Sequence, residues 1–125
     1  MKILDTNMIL RFLIRDDETS AIAVKNLIQN EQIMILPEVI AEVVYVMLKV
    51  YKYDRQKIAD GISVFLSYKN IHTDHFDVVE KGLEYFGKTS LDFVDCLLCA
   101  YHTVSGYEIC TFDKKLNNLI KRESD

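Results

Sequence analysis

Short apolar runs alternate with longer helix-like segments along this chain of 125 residues. The runs are "KIL" at residues 2–4, "IMIL" at 33–36, "NIHT" at 70–73 and "YEICTF" at 107–112. Strands that alternate with helices or helix pairs are typical of α/β proteins, in which helices cover a mostly parallel sheet. The sequence therefore predicts a single α/β domain over residues 1–125, with a central sheet of four to five short strands and helices on both faces.

Capping residues predict where the helices begin. The first helix, "MILRFLI" at residues 8–14, follows Asp5-Thr6-Asn7. The other predicted starts are Asp16, Asp17 and Thr19 for residues 20–30, Pro37 for 37–50, Asp54 for 55–68, Asp74 for 75–87, Ser90 for 91–104 and Asp113 for 114–120. Ser105-Gly106 is expected to end the helix that starts after Ser90, because glycine favours the position after a helix.

The charge balance and the cysteines narrow the range of functions. The formal net charge is −4, so no global positive field attracts nucleic acid, although a local basic patch is compatible with it. Pro37 and Glu42 interrupt the longest apolar stretch, and no membrane span is predicted. Asp5 comes too early for a signal peptide, so a cytoplasmic location is expected. Three cysteines without framework spacing agree with reduced thiols.

Two patterns resemble metal sites but have stronger structural interpretations. Cys96, Cys99 and His102 lie in "DCLLCAYH", which is predicted to be helical. A helix turns by about 100° per residue, so His102 points away from Cys96, and packed thiols are favoured over zinc. The segment "HTDHFD" at residues 72–77 is better explained as a strand end followed by a helix cap.

Five carboxylates are expected near one edge of the sheet. Asp5 follows the first predicted strand, Asp113 follows the last, and Glu42 lies little more than one turn into the helix after the second. The carboxyl ends of parallel strands share an edge, where ligands usually bind. Asp92 and Asp95, spaced i, i+3, share one helix face and can join them. Taken singly, Asp5 and Asp113 also fit as helix caps, and Asp92 as an acid near a helix dipole.

Glu42 is the most informative of these acids. It stands in "PEVIAEVVYVMLKV", a segment that is apolar nearly all round, so its side chain is expected to be buried. A buried carboxylate usually protonates, forms an ion pair or binds a metal. For Glu42 and Asp95, the alternative to a metal is a buried salt bridge with Arg11 or Arg15.

A hard cation explains the whole set of acids. Converging carboxylates repel each other and raise one another's pKa, and a divalent cation removes that cost. Oxygen ligands at a strand edge suit Mg²⁺ or Mn²⁺, with some positions left for water and a substrate phosphate. Metal-assisted hydrolysis of a phosphodiester is the chemistry that such a site favours.

Four motifs in a fixed order give the chain a family resemblance. They are "ILDTNMILRFL", "PEVIAEVVYVML", "LDFVDCLLCA" and "TFDKKL", and together they extend over essentially the whole sequence. In these motifs the chain resembles the PIN domain family, in particular the VapC-type toxins of bacterial and archaeal toxin–antitoxin pairs. The resemblance implies a Mg²⁺- or Mn²⁺-dependent endoribonuclease that cleaves a structured RNA through metal-activated water, leaving a 5′-phosphate and a 3′-hydroxyl.

The resemblance also implies roles for individual residues. The family's catalytic acids and metal ligands correspond here to Asp5, Glu42, Asp95 and Asp113. Secondary positions near that metal site correspond to Asp92, Thr6, Asn7 and Thr111. The implied partners are an RNA substrate and a small VapB-like antitoxin whose C-terminal segment occludes the site.

Two further expectations concern assembly and RNA contact. The apolar positions of "AIAVKNLI" and "IADGISVFL" predict a homodimer. The candidate cations for RNA phosphates are Arg11, Arg15, Lys49, Lys52, Arg55, Lys114, Lys115, Lys121 and Arg122. Recognition of a folded RNA by its shape, or two patches aligned across a dimer, would suit an acidic chain.

Other classes of protein fit less well. A phosphoaspartate phosphatase needs a second Asp two residues after Asp5, and Asn7 stands there. No glycine-rich loop with a lysine is present, which excludes a P-loop. The remaining alternative is a non-catalytic PIN-like module that binds RNA or a partner without cutting.

Overall fold

The computed structural model describes residues 1–124, in which three strands and seven helices are found. The strands are β1 (Lys2–Ile3), β2 (Ile33–Met34) and β3 (Ile71–His72). The helices are α1 (Thr6–Ile14), α2 (Glu18–Asn30), α3 (Pro37–Lys49), α4 (Arg55–Leu66), α5 (Phe76–Lys88), α6 (Phe93–Ser105) and α7 (Lys114–Glu123). None of these helices is long and apolar enough to cross a membrane.

The three strands form one parallel sheet in the order β1-β2-β3. Lys2 stands opposite Ile33, and Met34 stands opposite His72. A pair of helices makes each crossover, α1 and α2 between the first two strands and α3 and α4 between the next two. This arrangement confirms the predicted α/β class with a parallel sheet.

The predicted fourth strand is wrong, because residues 107–112 belong to no strand in the part of the chain that is described. Tyr107 is 62% exposed and Phe112 projects from the surface. The Tyr107 amide donates to the carbonyl oxygen of Tyr101 at 3.4 Å, which ties the segment to the preceding helix. The β-propensity of Tyr, Ile, Thr and Phe takes effect only when a neighbouring strand is available to pair with them.

The second strand is shorter than predicted, because the following helix takes over its last residues. Leu36 is the N-cap of α3 and Pro37 occupies its first turn, as the sequence predicts for that proline. Ile35 is outside the assigned strand, yet its amide still donates to the His72 carbonyl oxygen at 2.8 Å. The buried side chain of Ile35 therefore continues the apolar layer that β2 begins.

Three of the predicted N-caps are confirmed with side-chain hydrogen bonds. Asp17 accepts from the amide of Ser20, Asp54 from that of Gln56 and Asp113 from that of Leu116. The predicted caps Asp74 and Ser90 are wrong. The structure instead has His75, in the left-handed region at φ 56°, before α5, and Asp92 before α6.

The helix that carries Asp95 is fixed by close packing. Helix α6 lies against α5 and α7, and its Cys96, Cys99 and Ala100 side chains are fully buried. At Gly82 in α5, an added Cβ atom would lie 2.9 Å from Leu97 Cδ2 in α6, so the two helices approach closely at that point. Gly106, at φ 78°, ends α6 as the sequence predicts.

Candidate functional site

Asp92 and Asp95 begin the candidate site at the start of α6. Asp92 is the N-cap, but its side chain makes no capping hydrogen bond, so its carboxylate is not engaged by its own helix. Asp95 follows in the first turn and is half-buried. Both carboxylates line a cavity of about 270 Å³ between α3 and α6, together with Tyr45 and Lys49 of α3. The predicted sharing of one face by these two acids is therefore found.

The charge of Asp95 is unfavourably placed in the metal-free chain. Burial raises the pKa of its carboxyl, and the negative charges of Asp113 and then Asp92 raise that pKa further. The N-cap of α7 is thus close enough to α6 for its charge to act on Asp95. The charges of Asp113 and Asp92 thus both act on Asp95 near the junction of α6 and α7, and a cation beside Asp95 would relieve that repulsion.

Asp113 caps α7 in addition to acting through its charge on Asp95. Its Oδ1 atom accepts a hydrogen bond from the Leu116 amide at 2.8 Å and so caps α7. The hydroxyl of Thr111 accepts from the Asp113 amide at 3.0 Å, and the Thr111 carbonyl oxygen accepts from Asn117 at 2.9 Å. Thr111 therefore fixes the turn that presents Asp113.

Asp5 has the same dual character at the end of β1. Its Oδ1 atom accepts from the Met8 amide at 2.9 Å, which makes Asp5 the N-cap of α1. Asp5 and Asn7 line a groove of about 270 Å³ between α1 and α2, and Arg11 lies along it. Thr6, the first residue of α1, is half-buried.

The expectation that Glu42 is buried is wrong. Glu42 is exposed, and it belongs to a polar stripe along α3 with Glu38, Tyr45 and Lys49, which are also exposed. The opposite face of α3 buries Ile40, Val43, Val44 and Met47. The positions 38, 42, 45 and 49 recur with helical period, so a tyrosine at the surface completes an amphipathic helix that the apolar sequence conceals.

The buried salt bridges considered for Glu42 and Asp95 are also not formed. Within residues 1–124, neither acid takes part in an ion pair. Arg11 pairs with Asp16 at 3.7 Å, between partly exposed side chains. Arg15 lies 4.8 Å from the centroid of the Phe12 ring.

The structure does not bring the four predicted ligands Asp5, Glu42, Asp95 and Asp113 into one group. In the described part of the chain, no three His, Cys, Asp or Glu side chains are arranged to hold a metal ion. Two of the four are turned toward their own helices as caps, and Glu42 faces outward. The donor chemistry nevertheless suits a hard cation, because every candidate is a carboxylate and the cap bonds of Asp5 and Asp113 use Oδ1 only, leaving Oδ2 for a metal.

Arg55 is a residue of this region whose role the sequence did not reveal. It was a candidate for RNA contact, yet it is half-buried under the loop between α5 and α6. Its Nε atom donates to the Phe86 carbonyl oxygen at 2.9 Å, and its Nη2 atom donates to the carbonyl oxygen of Leu91. Leu91 directly precedes Asp92, so Arg55 anchors the loop that leads into the acidic turn.

The environment of Arg55 is partly desolvated. Burial lowers the pKa of its guanidinium, while Cys96 and Asp92 act in the opposite direction. The same loop is also held from within, because the Thr89 hydroxyl donates to the Tyr85 carbonyl oxygen at 2.9 Å and accepts from the Leu91 amide at 3.3 Å. The partners of Arg55 lie 31 and 36 residues away along the chain, and no local pattern predicts such contacts.

The zinc-like pattern is confirmed as packed thiols. Cys96 and Cys99 are completely buried, and burial raises the pKa of the Cys96 thiol to about 11. His102 points elsewhere, with Nδ1 donating to the Tyr107 carbonyl oxygen at 2.7 Å and Nε2 lying 2.9 Å from the Ser124 hydroxyl. In "HTDHFD", His72 contacts Gln32 at 2.6 Å and His75 precedes α5, as a strand end and a helix start require.

Comparisons with known proteins assign the fold to a family. A family model described as "PIN domain" matches residues 2–121. A VapC ribonuclease of Aquifex aeolicus (strain VF5) is 27% identical to the chain over 124 residues, which is 95% of this chain and 92% of that protein. No solved structure matches the chain significantly.

Proposed function

We propose that this chain, which belongs to the PIN domain family, is a Mg²⁺- or Mn²⁺-dependent endoribonuclease of the VapC type that acts as a single domain. The observation that carries the proposal is the match of residues 2–121 to the PIN domain family. The cavity lined by Asp92 and Asp95 supports it, and burial and the charges of Asp113 and Asp92 raise the pKa of Asp95 there. Catalytic sites often contain such an unfavourably placed charge, because a charge that destabilises the ligand-free protein can bind the cation or the substrate. The similarity to a VapC ribonuclease supports the choice of RNA as substrate.

The ligands of the cation are proposed to be Asp5, Glu42, Asp95 and Asp113. Asp95 is the central ligand, since its carboxyl is half-buried and unpaired within residues 1–124. Asp5 and Asp113 each offer Oδ2 while Oδ1 continues to cap a helix. Secondary support comes from Asp92, Thr6, Asn7 and Thr111.

A bound divalent cation would supply a Lewis acid and an activated water for hydrolysis of a phosphodiester. Asp95 would hold such an ion next to the α3–α6 cavity, which Asp92, Tyr45 and Lys49 also line. Glu42, on the exposed face of α3, would either bind the cation or orient the attacking water. Addition of water across the P–O3′ bond leaves a 5′-phosphate on one RNA fragment and a 3′-hydroxyl on the other.

The proposal includes partners and location. A structured RNA is the substrate, a small VapB-like antitoxin is the inhibitor, and the protein acts in the cytoplasm. A homodimer is proposed because Ile22 in α2 is 49% exposed and Val64 in α4 is 58% exposed. Light scattering at micromolar concentration tests the dimer, and a monomer there would contradict it.

The decisive experiment measures RNA cleavage by the purified protein with Mn²⁺ and with a chelator. We expect cleavage only with the metal, and a loss of at least about 100-fold in the Asp95→Asn variant, because one essential ligand is removed. Asp77→Asn is the matched control, since Asp77 is an exposed acid in the first turn of α5, a helix of the same 13-residue length as α6. Equal cleavage by both variants would refute the assignment of Asp95.

A second candidate is a PIN-like module that binds without cutting. It is favoured by one observation: no group of three potential ligands is assembled for a metal within residues 1–124. Such a module gains no thermal stability from Mn²⁺, whereas a metal-dependent nuclease is stabilised by an ion that binds only its folded form. Thermal melting with and without Mn²⁺ therefore separates the two candidates.

A further inference from the structure

A basic groove lies between the α5–α6 loop and α7. It has a volume of about 320 Å³ and is lined by the three cations Lys88, Lys115 and Arg122, by the polar residues Thr89, Ser90 and Asn118, and by Leu91 and Leu119. We call this set of residues the basic groove. These three cations come from two different elements, α5 and α7, in a chain with a net charge of −4.

The cations of the groove are accessible. Lys115 and Arg122 are exposed and form no ion pair with any of residues 1–124. Lys88 is exposed and pairs with Glu84 of the same helix at 3.1 Å, an interaction that a stronger anion can replace. The groove therefore offers positive charge that the protein itself leaves largely unused.

The geometry of α7 makes the groove a continuous track. Residues 115, 118, 119 and 122 are spaced three, four and seven apart, so they share one helix face. The distance along the helix from Lys115 to Arg122 is about 10 Å at 1.5 Å per residue. Ser90 and Asn118 also line the groove and can donate hydrogen bonds to phosphate oxygens.

Both walls of the groove are close in sequence to acids of the candidate site. Leu91 of the loop directly precedes Asp92, and Lys115 lies two residues after Asp113. A polyanion is repelled by the carboxylates themselves, so it needs positive charge next to them if it is to approach. An RNA backbone reaching the candidate metal site would find that charge in this groove.

We propose that the basic groove binds the phosphodiester backbone of an RNA strand on one side of the bond that is cut. Lys115 and Arg122 contact phosphates, Lys88 exchanges its ion pair with Glu84 for a phosphate, and the contacts are independent of base sequence. The groove thus supplies the electrostatic attraction that the acidic chain lacks as a whole. This inference rests on the proposed function, because it takes RNA as the substrate.

The test measures binding of fluorescein-labelled oligouridine in a chelator, where no cleavage occurs, at several salt concentrations. The variant is Lys115→Gln/Arg122→Gln. The control is Lys25→Gln/Lys69→Gln, which removes two exposed cations outside the groove and so the same net charge. We expect the groove variant to bind about tenfold or more weakly at low salt, and its slope of log K against log salt to be shallower by about 1.4, which is 0.7 for each lost contact to a single strand.

Two measurements keep the outcome clear. Acetylation of lysines in the wild-type protein, read by mass spectrometry, should show that RNA protects Lys88 and Lys115 but not Lys25 and Lys69. Equal losses of affinity in the groove and control variants, or equal protection of all four lysines, would overturn the proposal. The second measurement is binding of polyglutamate to the wild type and the groove variant. A groove variant that binds RNA normally but no longer binds polyglutamate would assign the groove to an acidic protein segment, and this too would overturn the proposal.

The experiments can refute the groove assignment and the nuclease assignment independently of each other. If the wild type cuts RNA with Mn²⁺ while both double variants bind oligouridine alike, the groove assignment is wrong and the nuclease stands. If the groove variant alone loses binding while no preparation cuts RNA, the groove stands and the nuclease is wrong.

Discussion

The Arg55 guanidinium lies 3.8 Å from the centroid of the Phe86 ring, and its Nε atom donates to the carbonyl oxygen of that same residue. The Arg55 side chain of α4 thus contacts both the ring and the backbone of Phe86 near the end of α5. Through its second hydrogen bond, to Leu91, it also reaches the residue before Asp92. The acidic turn of α6 is therefore held by a contact from a helix that contributes none of the acids.

Replacement of Arg55 by Met is expected to destabilise the fold by about 2 kcal/mol, because two half-buried carbonyl groups lose a charged donor and Phe86 loses a cation. Chemical denaturation measures the change. Lys57→Met is the control, since it removes an exposed cation two positions along the same helix. Hydrogen exchange should also quicken at residues 92–96 in the Arg55 variant, and unchanged exchange there would show that Arg55 does not hold the acidic turn.

Asp95→Asn should stabilise the metal-free protein near neutral pH. Folding raises the pKa of Asp95, first through burial and then through Asp113 and Asp92. A carboxyl whose pKa is raised by folding contributes its full stability below its unfolded pKa, about 3.9. That contribution is lost as the pH rises through the pKa of the folded state. Asn is neutral at every pH, so the greater stability of the variant should vanish at about pH 3, where the carboxyl of the wild type is protonated in both states.

Thermal melting in a chelator at the two pH values tests the expectation for Asp95. Glu42→Gln serves as the control, because Glu42 is exposed and its replacement should change stability by less than about 0.5 kcal/mol at either pH. Addition of Mn²⁺ should then favour the wild type over Asp95→Asn. An Asn variant that is less stable than the wild type at neutral pH would contradict the electrostatic account.

The three thiols should differ sharply in reactivity. Cys110 is exposed, while Cys96 and Cys99 are buried in α6, and burial raises the pKa of the Cys96 thiol to about 11. Since the thiolate is the reactive form, a thiol reagent near neutral pH should modify one equivalent quickly in the native protein and all three after unfolding. Rapid native modification of a second thiol would contradict the packing of α6.

Two glycine substitutions should act in opposite directions. Gly106→Ala places a Cβ atom on a left-handed residue at φ 78° and should cost about 1 kcal/mol. Gly61→Ala, inside α4 with nothing within 4 Å of the added atom, should stabilise the protein by about 0.5–1 kcal/mol. Chemical denaturation measures both, and a stabilising Gly106→Ala would show that α6 ends differently.

The helices were largely predictable because their start signals are local. Asp17, Asp54 and Asp113 each accept from an amide two or three residues ahead, an interaction written in adjacent sequence. The predicted caps Asp74 and Ser90 are wrong because several polar residues stand before each helix, and the choice among them depends on loop geometry. The loop before α6 is set by Arg55, which lies far away in the sequence.

The site was less predictable than the helices, for reasons that are tertiary. The apolar neighbours of Glu42 predict that it is buried, but the exposure of Tyr45 leaves α3 with a polar stripe in which Glu42 lies. Residues 107–112 have the composition of a strand, yet pairing depends on where a neighbouring edge lies. The coupling of Asp95 to Asp113 and Asp92 follows from the close approach of α6 and α7, which the order of the motifs suggests but does not determine.

The capping bonds of Asp5 and Asp113 bear on how such sequences drift over evolutionary time. A descendant that abandoned catalysis would still be selected for an acid, an asparagine or a serine at these two positions, because each keeps a helix start intact. Asp95 is not a helix cap, and its charge destabilises the fold when no cation is bound. Relaxed selection should therefore erase Asp95 before the other two, which makes position 95 the most sensitive marker of a lineage that has retained its chemistry.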